Sequence, residues 1–202
     1  MQVFKFGGAS IRNANAIKNM ADIIIKYGEK PLVVVVSAMG KTTRALEDYI
    51  AARADGDEAT KELTTIKDYH RGILDGLFEP GHEIFETIEK MLNELPQVSY
   101  HKELYGKFYD RIVSTGEMVS STIITAYLNS ISVKAKRLDA PNLIKCTGNH
   151  QNGRVNWPLT RVNIVDDVPS LLEDNIVVTQ GFIGSTGSND VITLGKEGSD
   201  YT

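Results

Sequence analysis

A run of five aliphatic residues, Leu32–Val36, constrains the fold more than any other feature of the chain. Four of the five are valines, and the run lies between Pro31 and the turn-forming segment 37–40. A short β-branched run of this kind is typical of a central parallel strand that is covered on both faces. The run therefore predicts a sheet with helices on either side of it.

The residues before this run predict the partner strand and the crossover helix. Val3, Phe4 and Phe6 indicate a strand that ends at a Gly-Gly turn. Apolar residues then recur at helical spacing over residues 13–27, and Gly28 supplies a stop. Residues 2–37 are therefore expected to form one βαβ unit.

The rest of the chain alternates predicted helices and strands, which is typical of an α/β protein. We expect a three-layer α/β/α sandwich with a mainly parallel sheet and a helical insertion after the second strand. The expected elements are three helical segments over 43–95, separated at 55–57 and 80–82; a helix at 104–129; a strand at 133–138; a turn at 139–142; loop or hairpin at 146–158; a short helix at 165–172; and strands at 176–179 and 191–194.

Composition excludes several classes of protein. At 202 residues, 42% of them hydrophobic and 24% charged, the chain has an ordinary globular composition and can bury a substantial core. A net charge of −4 argues against nucleic acid or an anionic membrane as a partner. We expect no transmembrane helix, because no apolar run reaches about 18 residues. The single cysteine, Cys146, fits the reducing cytoplasm and is expected to be a buried structural thiol.

Four loops rich in glycine and hydroxyl residues follow predicted strands, at residues 7–10, 37–42, 181–187 and 195–200. Ligands of open α/β sheets bind at the carboxyl ends of the strands. Glycine lets backbone N–H groups approach an anion closely, and a helix N-terminus adds a favourable dipole. Glycine also simply ends strands, but four such loops in succession favour an anion-binding site.

Neither common nucleotide motif is complete in this chain. Gly40-Lys41-Thr42 is only the last part of a P-loop, since its first glycine is absent. The pattern G-x-x-G-x-x-G at 181–187 is no dinucleotide fingerprint, because too little chain follows it for a helix and an acidic partner. A different kind of phosphate site is therefore indicated.

Five motifs occur in a fixed order along the whole chain: KFGGAS at 5–10, VVSAMG at 35–40, STGE at 114–117, GFIG at 181–184 and LGxxGSDY at 194–201. Together they resemble the aspartate kinases (aspartokinases), which have the amino-acid kinase fold. Lys-Phe-Gly-Gly alone is shared with relatives that act on other substrates, whereas Ser-Thr-Gly-Glu and Gly-Ser-Asp-Tyr point to aspartate.

The resemblance implies transfer of the γ-phosphoryl group of MgATP to the side-chain carboxylate of L-aspartate, which gives 4-phospho-L-aspartate. Lys5 would neutralise charge on the moving phosphoryl group, and Asp200 would orient Lys5. Backbone N–H groups of Gly7, Gly8 and residues 37–40 would cradle phosphate oxygens. The resemblance assigns substrate binding to Ser37, Thr42, Glu117, Phe182 and Lys196, and nucleotide binding to Lys5, Gly7, Gly8, Ala9, Ser10, Ser199 and Asp200. A metal site made of protein ligands is not expected.

Several assignments have alternatives or depart from the family pattern. Glu117 would pair with the α-ammonium of aspartate, unless it is a surface glutamate without a partner. Thr42 could instead cap a helix, and the adjacent Thr43 is an equal candidate. Lys196 stands where the family usually has arginine, so the planar fork is lost and weaker aspartate binding is expected. Ala9 stands where threonine is common.

The resemblance also implies how the chain relates to whole aspartate kinases. Family members continue into the lobe that holds the nucleotide base and then into paired regulatory ACT domains. We expect residues 1–202 to be the N-terminal substrate-binding lobe of a kinase that is a homodimer at full length, and to be weakly active or inactive alone. Another kinase of the fold, acting on acetylglutamate, glutamate or UMP, and a non-catalytic ligand-binding fragment remain alternatives.

Overall fold

The computed structural model describes residues 1–195, and the βαβ unit at its start is as predicted. Strand β1 (Gln2–Phe6) and strand β2 (Leu32–Val36) are parallel, and helix α1 (Ala14–Tyr27) connects them. Asn13 begins the helix, since its side chain accepts a hydrogen bond from the Ala16 N–H at 2.9 Å. Gly28 ends it, as its N–H bonds to Ile24 O.

The predicted helical insertion follows β2. It consists of α2 (Thr42–Ala54), α3 (Thr60–Asp75) and α4 (Ile84–Asn93). The long helix α5 (Tyr105–Ser130) comes next and leads to the short strand β3 (Ala135–Arg137). These bounds confirm the three insertion segments and the long helix predicted after them.

The main sheet has the order β1-β2-β6-β3, with β6 at Ile176–Gln180, and all its neighbouring strands are parallel. The two central strands are β2 and β6, which explains why both are almost continuously apolar. At the edge, β3 carries the exposed side chain of Lys136, as expected for the protection of an edge strand.

The described residues also contain two small antiparallel strand pairs and two further α-helices. Strands β4 (Cys146–Thr147) and β5 (Arg154–Val155) form one hairpin, and β7 (Ile183–Ser185) pairs with β8 (Val191–Thr193). The helices are α6 (Ala140–Leu143) and α7 (Trp157–Leu172).

The core lies on both faces of the main sheet. Phe6, Val34 and Val178 face the cluster that contains the buried sides of α1 to α5. Val177 faces a second cluster, formed with α6, α7 and the β7–β8 pair. Residues therefore alternate between the two cores along β6. This arrangement confirms the three-layer α/β/α fold with a mainly parallel sheet.

Three local predictions were wrong. Residues 139–142 were expected to form a turn, but most of them form α6, in whose first turn Pro141 is tolerated. Helix α7 begins at Trp157 rather than Val165. Residues 181–187 were read as a loop but contain β7. None of the helices within residues 1–195 is long and apolar enough to span a membrane.

Candidate active site

Three predicted site loops meet at one edge of the main sheet, because β1, β2 and β6 are adjacent and parallel. The Ser37 N–H donates to Phe6 O at 3.2 Å, and the Gly40 N–H donates to Gly8 O at 2.9 Å. The Gly181 N–H donates to Val36 O at 2.9 Å. These bonds fix the first, second and third loops against one another at the carboxyl ends of the strands.

Lys5 lies on β1, one residue before the end of the strand, and its side chain is exposed. The register pairs Lys5 with Val35 and Val35 with Thr179, so the three side chains form one row on the same face of the sheet. The Thr179 hydroxyl is buried and has no hydrogen-bond partner within the described part of the chain. None of the motifs contains Thr179, because it lies in a segment that indicated only a buried strand.

The first loop is a 3₁₀ turn, Gly8–Ile11, in which Ala9 and Ser10 are exposed. The Ser10 N–H donates to Gly7 O at 2.9 Å within the turn. A cleft of about 620 Å³ opens beside this loop, between it and α1, and Ala9 and Ser10 both line it. The loop predicted to contact nucleotide therefore borders open space large enough for part of a ligand.

The amide groups of the second loop are used differently from the prediction. The Ser37 and Gly40 N–H groups bond to carbonyls of the first loop and its strand, and the Ala38 N–H bonds to the Glu117 carboxylate at 3.3 Å. Three of the four amides at 37–40 thus already donate inside the protein. The expectation that this loop cradles phosphate through its amides is wrong for these three.

Gly8 is expected to tolerate no side chain. A Cβ atom at Gly8 would lie 2.6 Å from Ala38 O and 3.0 Å from Gly40 O, and both are backbone atoms that cannot rotate away. Gly8→Ala should lower the free energy of unfolding by about 1–3 kcal/mol. Gly7→Ala is the matched control, since nothing lies within 4 Å of a Cβ at that position. Denaturant unfolding of both variants checks this, and equal losses would contradict it.

Glu117 lies on α5 and is only 2% exposed, which excludes the alternative of a surface glutamate. Its Oε1 accepts the Ala38 N–H, while its Oε2 has no hydrogen-bond partner among residues 1–195. The preceding Gly116 brings α5 against the second loop: a Cβ there would lie 3.0 Å from Ala38 Cβ and 3.3 Å from Thr42 Cγ2. The Ser-Thr-Gly-Glu motif thus places a buried carboxylate beside the second loop.

Burial raises the pKa of Glu117 to about 8, although hydrogen bonds from the Glu117 and Ala38 amides act in the opposite direction. A buried carboxylate oxygen without a partner is rare in folded proteins, because its desolvation is uncompensated. A cationic ligand at Oε2 would compensate it. Glu117 is therefore suited to receive an ammonium group.

Thr42 is the first residue of α2, and its side chain is buried. Its hydroxyl donates to Met39 O at 2.7 Å and lies 3.4 Å from His70 Nε2. It is not the helix cap, since Lys41 holds that position. Thr42 lies close to Gly116, the residue before Glu117, but its hydroxyl points into the protein in this structure.

Phe182 forms the turn directly after β6. The Ile183 N–H donates to Gly181 O at 2.9 Å, and Phe182, between them, has a φ of 69°. This is a tight three-residue turn in a backbone region that bulky side chains rarely adopt. The Phe182 carbonyl accepts the Leu194 N–H at 2.9 Å, which ties the turn to the end of β8. Such strain is concentrated at functional sites in proteins.

The structure thus brings together Lys5, Gly7, Gly8, Ser37, Thr42, Glu117 and Phe182, around loops with Ala9 and Ser10 at their open side. Lys196, Ser199 and Asp200 lie outside the described residues. Within residues 1–195, His, Cys, Asp and Glu side chains form no group of three that could hold a metal ion. Cys146 is buried, as predicted, and burial raises the pKa of its thiol to about 11.

A sequence profile of the amino acid kinase family matches residues 1–202, so the chain belongs to that family. Its relatives include aspartokinase 1, chloroplastic, of Arabidopsis thaliana, which is 34% identical over 211 residues covering 99% of this chain and 36% of that protein. The fold is similar to Escherichia coli aspartokinase III in complex with lysine and aspartate, with a TM-score of 0.89, 27% identity, and coverage of 100% of this chain and 45% of that one.

A second structure of the Escherichia coli enzyme, in complex with aspartate and ADP, matches with a TM-score of 0.86 and 26% identity, over 100% of this chain and 45% of that chain. The chain therefore spans less than half the length of each of these relatives. These comparisons confirm the resemblance to aspartokinases that the five motifs indicated.

Proposed function

We propose that this chain carries the substrate side of an aspartate kinase, which transfers the γ-phosphoryl group of MgATP to the side-chain carboxylate of L-aspartate. The product, 4-phospho-L-aspartate, would lead towards lysine, threonine and methionine. The proposal is supported by the similarity to aspartokinases along the whole chain and by the structural neighbour that binds aspartate and ADP. Residues 1–202 would correspond to the substrate-binding lobe of that kinase.

The observation that carries the proposal is the buried carboxylate of Glu117 with one oxygen left without a partner. Acetylglutamate has no free ammonium group, and UMP is not an amino acid, so neither offers the cation that Glu117 requires. L-aspartate does, and its ammonium would compensate the desolvated Oε2. Free glutamate shares the ammonium group and must be excluded by experiment.

The acceptor needs no general base, because an aspartate side chain with a pKa near 3.9 is already ionised at neutral pH. The difficulty is repulsion between this anion and the triphosphate. We propose that two positive charges reduce this repulsion: the ammonium group of Lys5 and the positive end of the α2 dipole, at the N-terminus of that helix. We propose that Gly7 and Gly8 contact the phosphate oxygens. Ser199 and Asp200 are assigned to nucleotide binding by resemblance only.

The cleft beside Ala9 and Ser10 supports the proposal that this loop contacts a nucleotide. Mg²⁺ would arrive with the ATP phosphates and neutralise part of their charge. Ser37, Phe182 and Lys196 would complete the aspartate pocket. A single buried cysteine suits a reducing compartment such as the cytoplasm, and we propose a homodimer for the whole kinase.

The test is a thermal-shift titration of this chain with L-aspartate, glutamate, acetylglutamate, UMP and MgATP. A ligand that binds only the folded state stabilises it by about 2.7 kcal/mol at a hundredfold excess over its Kd. We expect L-aspartate to raise the melting temperature and the other three acceptors to leave it unchanged. Hydroxylamine added with MgATP would trap any phosphoaspartate as a hydroxamate. A shift by acetylglutamate or UMP, without one by L-aspartate, would refute the proposed substrate.

A further inference from the structure

Two adjacent residues of α3, Tyr69 and His70, contact the second loop and the residue that follows the first loop, although neither belongs to a recognised motif. The Tyr69 hydroxyl donates to Arg12 O, just after the first loop, at 2.6 Å. The same oxygen lies against Gly40 in the second loop, where a Cβ atom would come within 2.3 Å of it. Tyr69 thus bridges the residue after the first loop and Gly40 of the second loop, close to the direct hydrogen bond from the Gly40 N–H to Gly8 O.

His70 is completely buried and reaches Thr42. Its Nδ1 lies 2.7 Å from Ile66 O, and since a carbonyl only accepts, Nδ1 carries a proton. Burial lowers the pKa of His70, so the ring is neutral and Nε2 is an acceptor. Nε2 therefore faces the Thr42 hydroxyl at 3.4 Å as an acceptor. The single hydroxyl proton points mainly to Met39 O at 2.7 Å, and Nε2 is the second, weaker acceptor of this shared hydrogen bond.

The two side chains also support each other. Their rings are in edge contact, with centroids 5.1 Å apart and planes at 78°. Burial raises the pKa of Tyr69, so its hydroxyl remains a donor at neutral pH. One short segment of α3 thus contacts Arg12, just after the first loop, and Gly40 and Thr42 of the second loop.

We propose that Tyr69 and His70 are positioning residues, which hold the second loop in the arrangement that binds the amino-acid substrate. They touch no reacting atom and act through Gly40 and Thr42, whose neighbour across the loop is Glu117. The proposal rests on the proposed function for its ligand, but the bracing itself is a property of the ligand-free chain.

The first test is Tyr69→Phe, which removes one hydroxyl and leaves the ring in place. Tyr109→Phe is the matched control, because that hydroxyl donates to Glu47 at 2.9 Å between α5 and α2, away from the loops. We expect Tyr69→Phe to weaken L-aspartate binding about tenfold, as the loss of one hydrogen bond allows. Its melting temperature should change no more than that of the control.

Amide hydrogen exchange of the ligand-free chain tests whether Tyr69 holds the second loop in place, and it needs no ligand. The Gly40 N–H, bonded to Gly8 O, and the Thr42 N–H, bonded to Met39 O, should exchange about tenfold faster in Tyr69→Phe than in Tyr109→Phe. Equal exchange in the two variants would overturn the proposal. Faster exchange in a chain that binds no L-aspartate would support the brace and refute the proposed function instead.

A pair of His70 variants isolates the contact with Thr42. Glutamine places its amide near the position of Nε2, whereas asparagine places it near Nδ1. Both variants leave a similar gap, so both should lose similar stability. We expect His70→Gln to bind L-aspartate within about threefold of the original chain and His70→Asn to bind about tenfold more weakly. Equal affinities in the two variants would contradict the role given to Nε2.

Discussion

Replacing Glu117 by glutamine is expected to weaken L-aspartate binding by at least about a hundredfold. Glutamine keeps the shape of the side chain and can still accept the Ala38 N–H, but it offers no negative charge to an ammonium group. Loss of a buried charge partner typically costs about 3–5 kcal/mol. Isothermal titration calorimetry with L-aspartate measures the change, and Glu103→Gln, at an exposed glutamate, is the control.

Because the pKa of Glu117 is raised, the affinity for L-aspartate should depend on pH. With a pKa of about 8, Glu117 is mostly protonated at pH 7 in the ligand-free chain. Binding of an ammonium group requires the ionised form, so binding should release close to one proton. L-aspartate affinity should therefore rise about tenfold per pH unit up to about pH 8. Calorimetry in buffers of different ionisation enthalpy counts the protons released.

The stability of the ligand-free chain should change with pH in the opposite sense. The pKa of Glu117 is about 8 in the folded state, against an ordinary value of 4.5 for a glutamate in the unfolded chain, so the folded state binds the proton more tightly. This contribution is complete below about pH 4.5 and is lost as the pH rises through 8, by on the order of 4–5 kcal/mol. Glu117→Gln should flatten this part of the profile.

Both parts of the prediction can fail separately. A variant that binds L-aspartate as tightly as the original chain would refute the role of Glu117 as the ammonium partner. If the original chain binds L-aspartate without releasing protons, the carboxylate is already ionised before binding, and its burial must be relieved by another group. Measurements of unfolding from pH 5 to pH 9 distinguish these outcomes.

The elements that the sequence predicted best are those set by neighbouring residues. The valine-rich strand β2 and helix α1, with Asn13 at its start and Gly28 at its end, carry their signals within a few positions. Strand β7 has only three residues, Ile183–Ser185, and is held by pairing with β8 rather than by its own composition. Helix α7 was predicted too short because its capping residue, Asn156, lies within a stretch rich in turn formers.

The candidate site was likewise predictable only where neighbouring residues determine it. The motifs located Lys5, Gly8 and Glu117, but they gave no indication of what surrounds each residue. Glu117 bonds to an amide 79 positions away, and Thr42 meets a histidine 28 positions away. Burial, an unpartnered oxygen and the contacts of His70 arise only when distant segments pack. Periodicity therefore predicted the scaffold, while the electrostatics of the site required the fold.

Asp110 is the second residue for which we expect a large effect, here on stability. It lies on α5, seven residues before Glu117, and is completely buried. Its carboxylate accepts hydrogen bonds from His150 Nδ1 at 2.7 Å, the Gln151 N–H at 3.0 Å and the Thr193 hydroxyl at 2.7 Å. These partners lie in the β4–β5 turn and at the end of β8. One side chain therefore joins α5 to the β4–β5 turn and to the end of β8.

Asp110→Ala should lower the free energy of unfolding by about 3–5 kcal/mol, since hydrogen bonds to a charged group contribute about 1.5–3 kcal/mol each and are not additive. Asp110→Asn should lose less, because the amide oxygen can still accept one or two of the bonds. The control is Asp48→Ala, which removes only an exposed ion pair with Arg44 and should change stability by less than about 1 kcal/mol. Denaturant unfolding followed by far-ultraviolet circular dichroism measures all three variants.

Asp110→Ala should also destabilise the residues at the end of β8. The β4–β5 turn lies against Gly195, where a Cβ atom would be 3.6 Å from Asn152 Oδ1 and 3.7 Å from Gln151 O. Asp110 holds this turn through two bonds, and it also holds Thr193 directly. Asp110→Ala should therefore speed amide exchange at Gly153 and Leu194, whose N–H groups bond to Thr193 O and Phe182 O. A variant that unfolds at the same denaturant concentration as Asp48→Ala, with both amides equally protected, would show that the buried carboxylate contributes no net stability.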